Sequence, residues 1–141
     1  MIEKQKNRIG ISELVSAINQ ERWENFTLEA RNIVKENEPS EALQIILEKR
    51  KKLGSRYTDS LINLYKKVLE ILKSQPYLSY FEISVLIKQS FTNIIEINLK
   101  NFNLRIKEIC DTLIEWELIE KTTYYDRWNY SKLKIKNDFR P

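Results

Sequence analysis

The sequence predicts a mostly α-helical protein in which an N-terminal helical segment precedes a domain that ends in a β-hairpin. Apolar residues recur at helical spacing through most of the first 116 positions. Two glycines and three prolines leave few points at which the chain would turn. From Leu118 onward the spacing becomes alternating, and Thr, Tyr, Ile and Leu are frequent. We place the boundary after Gly54, so that residues 1–54 form the helical segment and residues 55–141 the domain.

The N-terminal segment is expected to contain two helices. Ser12 caps the first, which spans residues 12–37 as one long or kinked helix and stops before Pro39. Its apolar positions are Leu14, Val15, Ile18, Trp23, Phe26, Ala30, Ile33 and Val34. Ser40 caps the second, and Gly54 follows its basic C-terminus. These helices have more apolar surface than the following domain alone needs, so residues 12–53 are expected to cover the domain, to form a homodimer or to dock on a larger protein partner, and the sequence does not choose among these.

The domain begins with three predicted helices. Thr58 or Asp59 caps the first, which ends near Pro76. The residues from Ser79 to Glu82 have the S-x-x-E form of a capping box and open a short helix that runs to about residue 90. Residues 91–103 are ambiguous, with a short strand possible where Ile95, Ile97 and Leu99 alternate with polar residues. Asn103 is expected to cap the third helix, which runs to about Trp116.

Two strands are predicted after the third helix, at 118–125 and 130–136, and residues 126–129 form the hairpin loop between them. In the second strand, lysines alternate with Leu133 and Ile135, so one face is apolar and the other basic. We interpret Tyr124, Tyr125 and Tyr130 as cross-strand packing residues, with stacking on single-stranded bases as the alternative. Core packing does not explain a tryptophan in the loop, so Trp128 marks a contact surface.

Composition excludes most catalytic and metal chemistry. The chain has no histidine, which removes histidine zinc sites and the histidine-dependent catalytic triads. The single cysteine, Cys110, lies on the inward stripe of its helix and is expected to be a core residue. Two glycines leave no glycine-rich phosphate loop. We therefore expect a protein that is not an enzyme, with no cofactor and no metal.

Net charge and targeting patterns suggest a mildly basic intracellular protein. Lys and Arg number 24 against 20 acidic residues, a net charge of +4, which permits nucleic-acid binding without requiring it. No apolar run has the length of a signal peptide or of a membrane span. We expect a cytoplasmic protein without a membrane partner.

From Leu61 onward, the order of a helix, a short helix, a helix and a two-stranded hairpin resembles a winged helix-turn-helix domain. The residues that carry this resemblance run from Leu113 to Lys121, LIEWELIEK. They are similar to the family's L-x-x-x-G-L-I-x-x passage from the recognition helix into the wing. Glu117 stands at the family's glycine position, where the backbone usually takes a left-handed conformation.

The resemblance implies that the third helix enters the major groove of DNA and that the hairpin contacts the DNA backbone. The groove-facing candidates are Asn101, Asn103, Arg105 and Lys107, and the hairpin candidates are Arg127, Trp128, Lys132 and Lys134. Asn suits adenine edges, Arg suits guanine edges and lysines neutralise phosphates. The expected partner is double-stranded DNA, and the expected role is transcriptional regulation.

Acidic residues on the same helix leave an alternative open. Arg105 and Lys107 share it with Glu108, Asp111 and Glu115, which would repel a phosphate backbone. The alternative is a non-catalytic accessory subunit of a replication, repair or transcription complex, in which the helices mediate protein contacts.

Overall fold

The computed structural model describes residues 11–53, 58–90 and 99–136. The fold is mostly α-helical with a C-terminal hairpin, as predicted. The elements are α1 (Ile11–Glu36), α2 (Pro39–Leu53), α3 (Asp59–Ser74), α4 (Tyr80–Ser90), α5 (Leu99–Glu115), β1 (Ile119–Tyr125) and β2 (Ser131–Ile135). No helix in the described ranges combines the length and apolar character needed to cross a membrane. The expected domain boundary at Gly54 lies outside the described residues.

The start of α2 corrects the prediction that Ser40 caps it. The helix begins one residue earlier, at Pro39. The Glu38 side chain takes the capping role, because its Oε2 accepts hydrogen bonds from the backbone N–H groups of Ser40 (3.1 Å) and Glu41 (3.3 Å). Proline is favoured at the first position of a helix, where its missing N–H would have no helical partner anyway. The proline that was expected only to stop α1 also starts α2.

The first half of α1 departs from the expected packing. Residues 11–22 are all exposed, and Ser12 lies inside the helix, which already includes Ile11. The apolar residues Leu14, Val15 and Ile18 therefore do not contact the core. The second half of the helix does, beginning with the half-buried Trp23 and the buried Phe26.

The predicted caps of α3 and α4 are present. Thr58 caps α3, where its Oγ1 accepts a hydrogen bond from the N–H of Leu61 (3.3 Å). At α4, the N–H of Ser79 donates to Glu82 Oε1 (3.0 Å), and the N–H of Glu82 donates to Ser79 Oγ (3.2 Å). These reciprocal bonds form the capping box, which satisfies two backbone donors at the start of α4.

The start of α5 corrects the prediction for Asn103. The helix begins at Leu99, so Asn103 lies in its second turn and does not cap it. The helix therefore extends one turn further toward the N-terminus than a cap at Asn103 would allow. Most of the ambiguous stretch, residues 91–98, lies outside the described residues.

Glu117 adopts the left-handed conformation that the family's glycine position implies. Its φ is 63°. The N–H of Glu117 donates to the carbonyl of Ile114 (2.9 Å), and the N–H of Leu118 donates to the carbonyl of Leu113 (3.0 Å). These bonds form a Schellman motif, which satisfies the last carbonyls of α5 and turns the chain into β1.

The hairpin forms where it is predicted, and a short third segment extends its sheet. β1 and β2 pair antiparallel, with a register shift between Lys121 and Tyr125. On the other edge of β2, Leu78 forms an isolated antiparallel bridge with Leu133. Leu78 lies between α3 and α4, so the bridge ties the middle of the chain to the hairpin.

A single core joins the N-terminal helices to the C-terminal domain. Trp116, fully buried, lies where α5 ends. Its ring lies 6.0 Å from Phe26 of α1 and 5.8 Å from Tyr65 of α3, centroid to centroid. Arg31 of α1 also donates a hydrogen bond to the carbonyl of Glu115 (2.8 Å). α1 is therefore fixed to the end of the helix that bears the predicted groove residues.

Candidate nucleic-acid interface

Arg105 and Lys107 are both exposed, but they lie about 200° apart around the helix axis, on opposite flanks of the exposed surface of α5. Asn101, Arg105 and Lys107 are exposed. Arg105 makes no ion pair with any described residue, whereas the Lys107 ammonium lies 3.8 Å from the Asp111 carboxylate, one turn further along. The structure thus leaves one arginine and one weakly paired lysine available on this surface.

The acidic residues of α5 differ in what surrounds them. Glu115 accepts a hydrogen bond from the Trp23 indole N–H (3.2 Å), which holds its carboxylate against α1. Asp111 lies beside Lys107. Glu108 is exposed and pairs with no described cation. Glu108 is therefore the one of these three carboxylates with no contact to a described donor or cation, and all three add to the repulsion that a phosphate backbone would meet on this helix.

Asn103 differs from the other predicted groove residues. It is half-buried, and its Oδ1 is fully buried without a hydrogen-bond partner among the described residues. It lies at the edge of the exposed surface of α5, beside the buried Phe102. Asn103 is therefore less accessible to a DNA groove than Asn101, Arg105 and Lys107.

A groove of about 320 Å³ separates α5 from the hairpin. Lys107 and Asp111 line it from α5, and Lys121 lines it from β1. Lys121 is exposed and makes no ion pair with any described residue. No sequence pattern marks Lys121 as a site residue, because it is a lone lysine in β1, outside the alternating lysines of β2. The register that pairs it with Leu133 places it opposite α5.

Tyr80 lies at the same groove and contacts Tyr130. Their ring centroids are 4.8 Å apart. Burial, together with the hydrogen bond with Tyr130, raises the pKa of Tyr80 to about 12. The phenol stays neutral at physiological pH and adds no negative charge to the groove.

The two predicted lysines of β2 are less available than the sequence suggests. Both are half-buried. The Lys132 ammonium lies 3.9 Å from Glu82 Oε1, and the Lys134 ammonium lies 3.4 Å from Glu120 Oε1. Glu120 is the cross-strand partner of Lys134, a pairing that only the register reveals. These neighbouring carboxylates reduce the charge that the strand presents to a phosphate.

Asp126 shapes the hairpin loop. Its Oδ1 accepts hydrogen bonds from the N–H groups of Trp128 (2.8 Å) and Tyr130 (2.9 Å), and its Oδ2 accepts one from the Ser79 hydroxyl. Burial of the carboxylate opposes ionisation, but these hydrogen bonds outweigh it and lower the pKa of Asp126. Asn129 has a φ of 68°, a left-handed conformation that Asn tolerates well. The loop is therefore locked to the N-terminus of α4.

Arg127 and Trp128 lie on the α4 side of this loop. The Arg127 guanidinium lies over the Trp128 ring, 4.4 Å from its centroid. The Trp128 ring in turn lies 4.4 Å from that of Phe81 in α4. With Lys132, these residues line a second groove, between the hairpin and α4. Four of the predicted site residues therefore lie on α5 and three in this second groove, while Lys134 lies in neither.

The aromatic residues of the hairpin are more exposed than cross-strand packing requires. Tyr124 and Tyr125 are 62% and 58% exposed, and Trp128 is 44% exposed. Tyr124 makes an edge contact with Tyr77, at 5.7 Å between centroids. Tyr124 therefore packs on Tyr77 with much of its ring exposed, and Tyr125 is exposed to a similar extent.

The described residues offer no metal centre, since no group of three or more acidic or cysteine side chains converges in the described ranges. Cys110 is buried, as predicted. Burial, with a smaller contribution from Asp111, raises the pKa of its thiol to about 12. A protonated, enclosed thiol is neither a nucleophile nor a metal ligand.

A comparison of the chain with protein-family models, curated protein sequences and solved structures finds no match.

Proposed function

We propose that this is a small non-enzymatic protein that binds double-stranded DNA through α5 and acts as a transcriptional regulator. The observation that carries the proposal is the groove between α5 and the hairpin, which has Lys107 on one wall and Lys121 on the other. A duplex backbone lying over this groove would meet a lysine from each side. The exposed Asn101 and Arg105 would then lie on the helix that faces the bases.

The order of the elements supports the same proposal. Residues 59–135 form, in order, a helix, the single bridge residue Leu78, two further helices and two strands. This order matches the winged-helix resemblance and supplies, in the bridge, a third segment to its sheet. In such domains the third helix is the reading helix, which corresponds to α5.

The charges on α5 provide a test with effects of opposite sign. Arg105→Ala removes a cation that no described carboxylate neutralises, so it should weaken duplex binding and reduce its dependence on salt. Glu108→Gln removes the unpaired anion of the same helix, so it should strengthen duplex binding. Both residues are exposed, and neither change alters the core.

Fluorescence anisotropy with a blunt DNA duplex over a salt series measures both effects. A matched control is Lys66→Ala, on the exposed surface of α3 and away from both grooves. It lowers the net charge by the same amount as Arg105→Ala and should change duplex affinity less. If Arg105→Ala and Glu108→Gln both bind as the wild type does, α5 is not the DNA surface.

A second candidate function is an accessory subunit that works through protein contacts, and the exposed half of α1 favours it. Ile11, Leu14, Val15 and Ile18 are exposed and lie on one side of the helix, with the i, i+3, i+4 and i+7 spacing of a helix-pairing surface. Polar residues such as Ser16 lie opposite. A homodimer through this surface would also suit a regulator that reads a two-fold symmetric site.

Light scattering separates these possibilities. A homodimer gives about twice 17.0 kDa, and Leu14→Asp combined with Ile18→Asp should return it to the monomer mass. Ser16→Asp, on the opposite side of the same helix, is the control and should leave the dimer intact. A monomeric wild type that does not bind duplex DNA would instead support the accessory subunit.

A further inference from the structure

The groove between the hairpin and α4, called the α4 groove below, has the chemistry of a base-binding site. Its volume is about 470 Å³, within the range of roughly 300–1,000 Å³ typical of small-ligand sites. Apolar side chains of Leu78, Val85 and Leu86 line one part of it. The exposed rings of Tyr125 and Trp128 line another. A flat apolar ligand would thus find both an aliphatic surface and two aromatic rings.

The cations of the α4 groove are less restrained than its carboxylates. Glu82 and Asp126 balance Arg127 and Lys132 in formal charge, but both carboxylates have partners within the protein. Asp126 accepts two hydrogen bonds from the loop backbone and one from Ser79, and Glu82 completes the capping box and lies 3.9 Å from Lys132. The Arg127 guanidinium makes no ion pair with any described residue and lies against the Trp128 ring. An uncompensated cation therefore adjoins an exposed aromatic ring.

The hairpin as a whole is basic. Residues 118–136 include five basic and two acidic side chains, a net charge of +3, which is most of the net charge of the chain. Exposed aromatic rings interleaved with cations are the pattern that binds single-stranded nucleic acid, because bases stack on the rings and phosphates pair with the cations. An apolar peptide would use the rings but would leave Arg127 without a counter-charge.

We propose that the α4 groove binds single-stranded DNA, with an unpaired base stacked on Tyr125 and packed against the part of the Trp128 ring that Phe81 and Arg127 leave exposed, and a neighbouring phosphate held by Arg127. This site is separate from the α5 surface and does not depend on duplex binding there. If both sites act in one complex, the preferred DNA is a duplex with a single-stranded extension, because the α4 groove has no ligand in a blunt duplex.

The test compares the anisotropy of labelled oligo(dT) and a labelled blunt duplex. Trp128→Ala and Tyr125→Ala should each weaken oligo(dT) binding roughly tenfold, as expected for the loss of a stacked base. Arg127→Ala should weaken it and reduce its salt dependence. The matched control is Tyr124→Ala, which removes an equally exposed tyrosine of the same strand that does not line the α4 groove. It should bind oligo(dT) within about twofold of the wild type.

Tryptophan fluorescence gives a second measurement that does not require removal of the Trp128 ring. Base stacking quenches an exposed indole, whereas Trp116 is fully buried and inaccessible to a base. Oligo(dT) should quench the wild-type emission. Trp128→Phe should abolish most of that quenching, while its phenyl ring keeps an aromatic contact with Phe81. Circular dichroism confirms that each variant is folded.

The outcomes separate this proposal from duplex binding. Oligo(dT) binding that depends on Trp128 and Tyr125 supports it, whatever the duplex result. It is overturned if Trp128→Ala and Tyr125→Ala bind oligo(dT) as the wild type does, or if Tyr124→Ala loses as much affinity as they do. If the wild type does not bind the blunt duplex but the α4-groove variants lose affinity for oligo(dT), the α5 proposal is wrong and the α4-groove proposal is supported.

Discussion

Replacing Glu117 with glycine should give a more stable protein than replacing it with alanine, because residue 117 holds a conformation that disfavours a side chain. Its φ of 63° brings Cβ close to the following carbonyl oxygen. That crowding costs an L-residue about 1–2 kcal/mol. The conformation persists because the Schellman bonds at 2.9 and 3.0 Å hold the end of α5. Glycine adopts the same φ without the clash.

The size of the effect follows from two opposing contributions. Glycine removes the crowding but loses about 0.5–1 kcal/mol more conformational entropy on folding than alanine does. Glu117→Gly should therefore be about 0.7 kcal/mol more stable than Glu117→Ala. Alanine is the right reference, because both variants lose the carboxylate that lies 3.9 Å from the Arg31 guanidinium. That exposed pair contributes only about 0.2–1 kcal/mol.

Urea unfolding followed by circular dichroism measures the difference. The glycine variant should have the higher midpoint, with an unchanged slope, since the same surface is exposed on unfolding. A glycine variant no more stable than the alanine variant would contradict the assignment of a left-handed residue at the junction of α5 and the hairpin. The motif LIEWELIEK would then join its helix to its strand in some other way.

Three further predictions concern the capping box, the loop aspartate and the buried thiol. Ser79→Ala should lower the free energy of unfolding by about 1 kcal/mol in urea titrations, through loss of the cap. Because the folded pKa of Asp126 lies below its ordinary value of 3.8, its contribution to stability is present above that pH and is lost as the pH falls through the folded pKa. The stability gap between wild type and Asp126→Asn should therefore close in acid. Cys110 should react with the thiol reagent DTNB at pH 8 only after denaturation, because burial keeps its thiol protonated and enclosed.

Local signals in the sequence were sufficient to predict most helix boundaries in the domain. The capping box at Ser79 and Glu82 and the cap at Thr58 are read directly from side chains that bond to nearby backbone. The predictions that Ser12, Ser40 and Asn103 cap their helices were wrong, because each of these helices begins before the predicted residue. A glutamate replaces Ser40 as the cap of α2, and α5 extends a turn before Asn103.

Long-range features of the candidate site were not predictable in this way. Leu78 pairs with Leu133 across 55 residues, and a strand of one residue has no periodicity to detect. The neutralisation of Lys134 by Glu120 depends on the hairpin register. The separation of Lys107, in the groove beside α5, from Arg127, Trp128 and Lys132, in the α4 groove, depends on how the hairpin lies between α4 and α5. These arrangements arise from packing between elements that are distant in sequence. Such packing depends on many residues together and leaves no local pattern to detect.

The contacts around Trp116 set an order on folding during protein synthesis. The indole N–H of Trp23 meets the carboxylate of Glu115 across 92 residues, and Arg31 reaches the same residue's carbonyl across 84. Helices α1 and α2 are synthesised before α5, and Arg50 of α2 covers part of the aromatic face of α1, but the contact between Phe26 and Trp116 forms only after α5 has been made. Closing so long a loop is slow relative to helix formation. The aromatic face of α1 is therefore incompletely covered during this interval, when partly exposed apolar surface favours chaperone binding and aggregation.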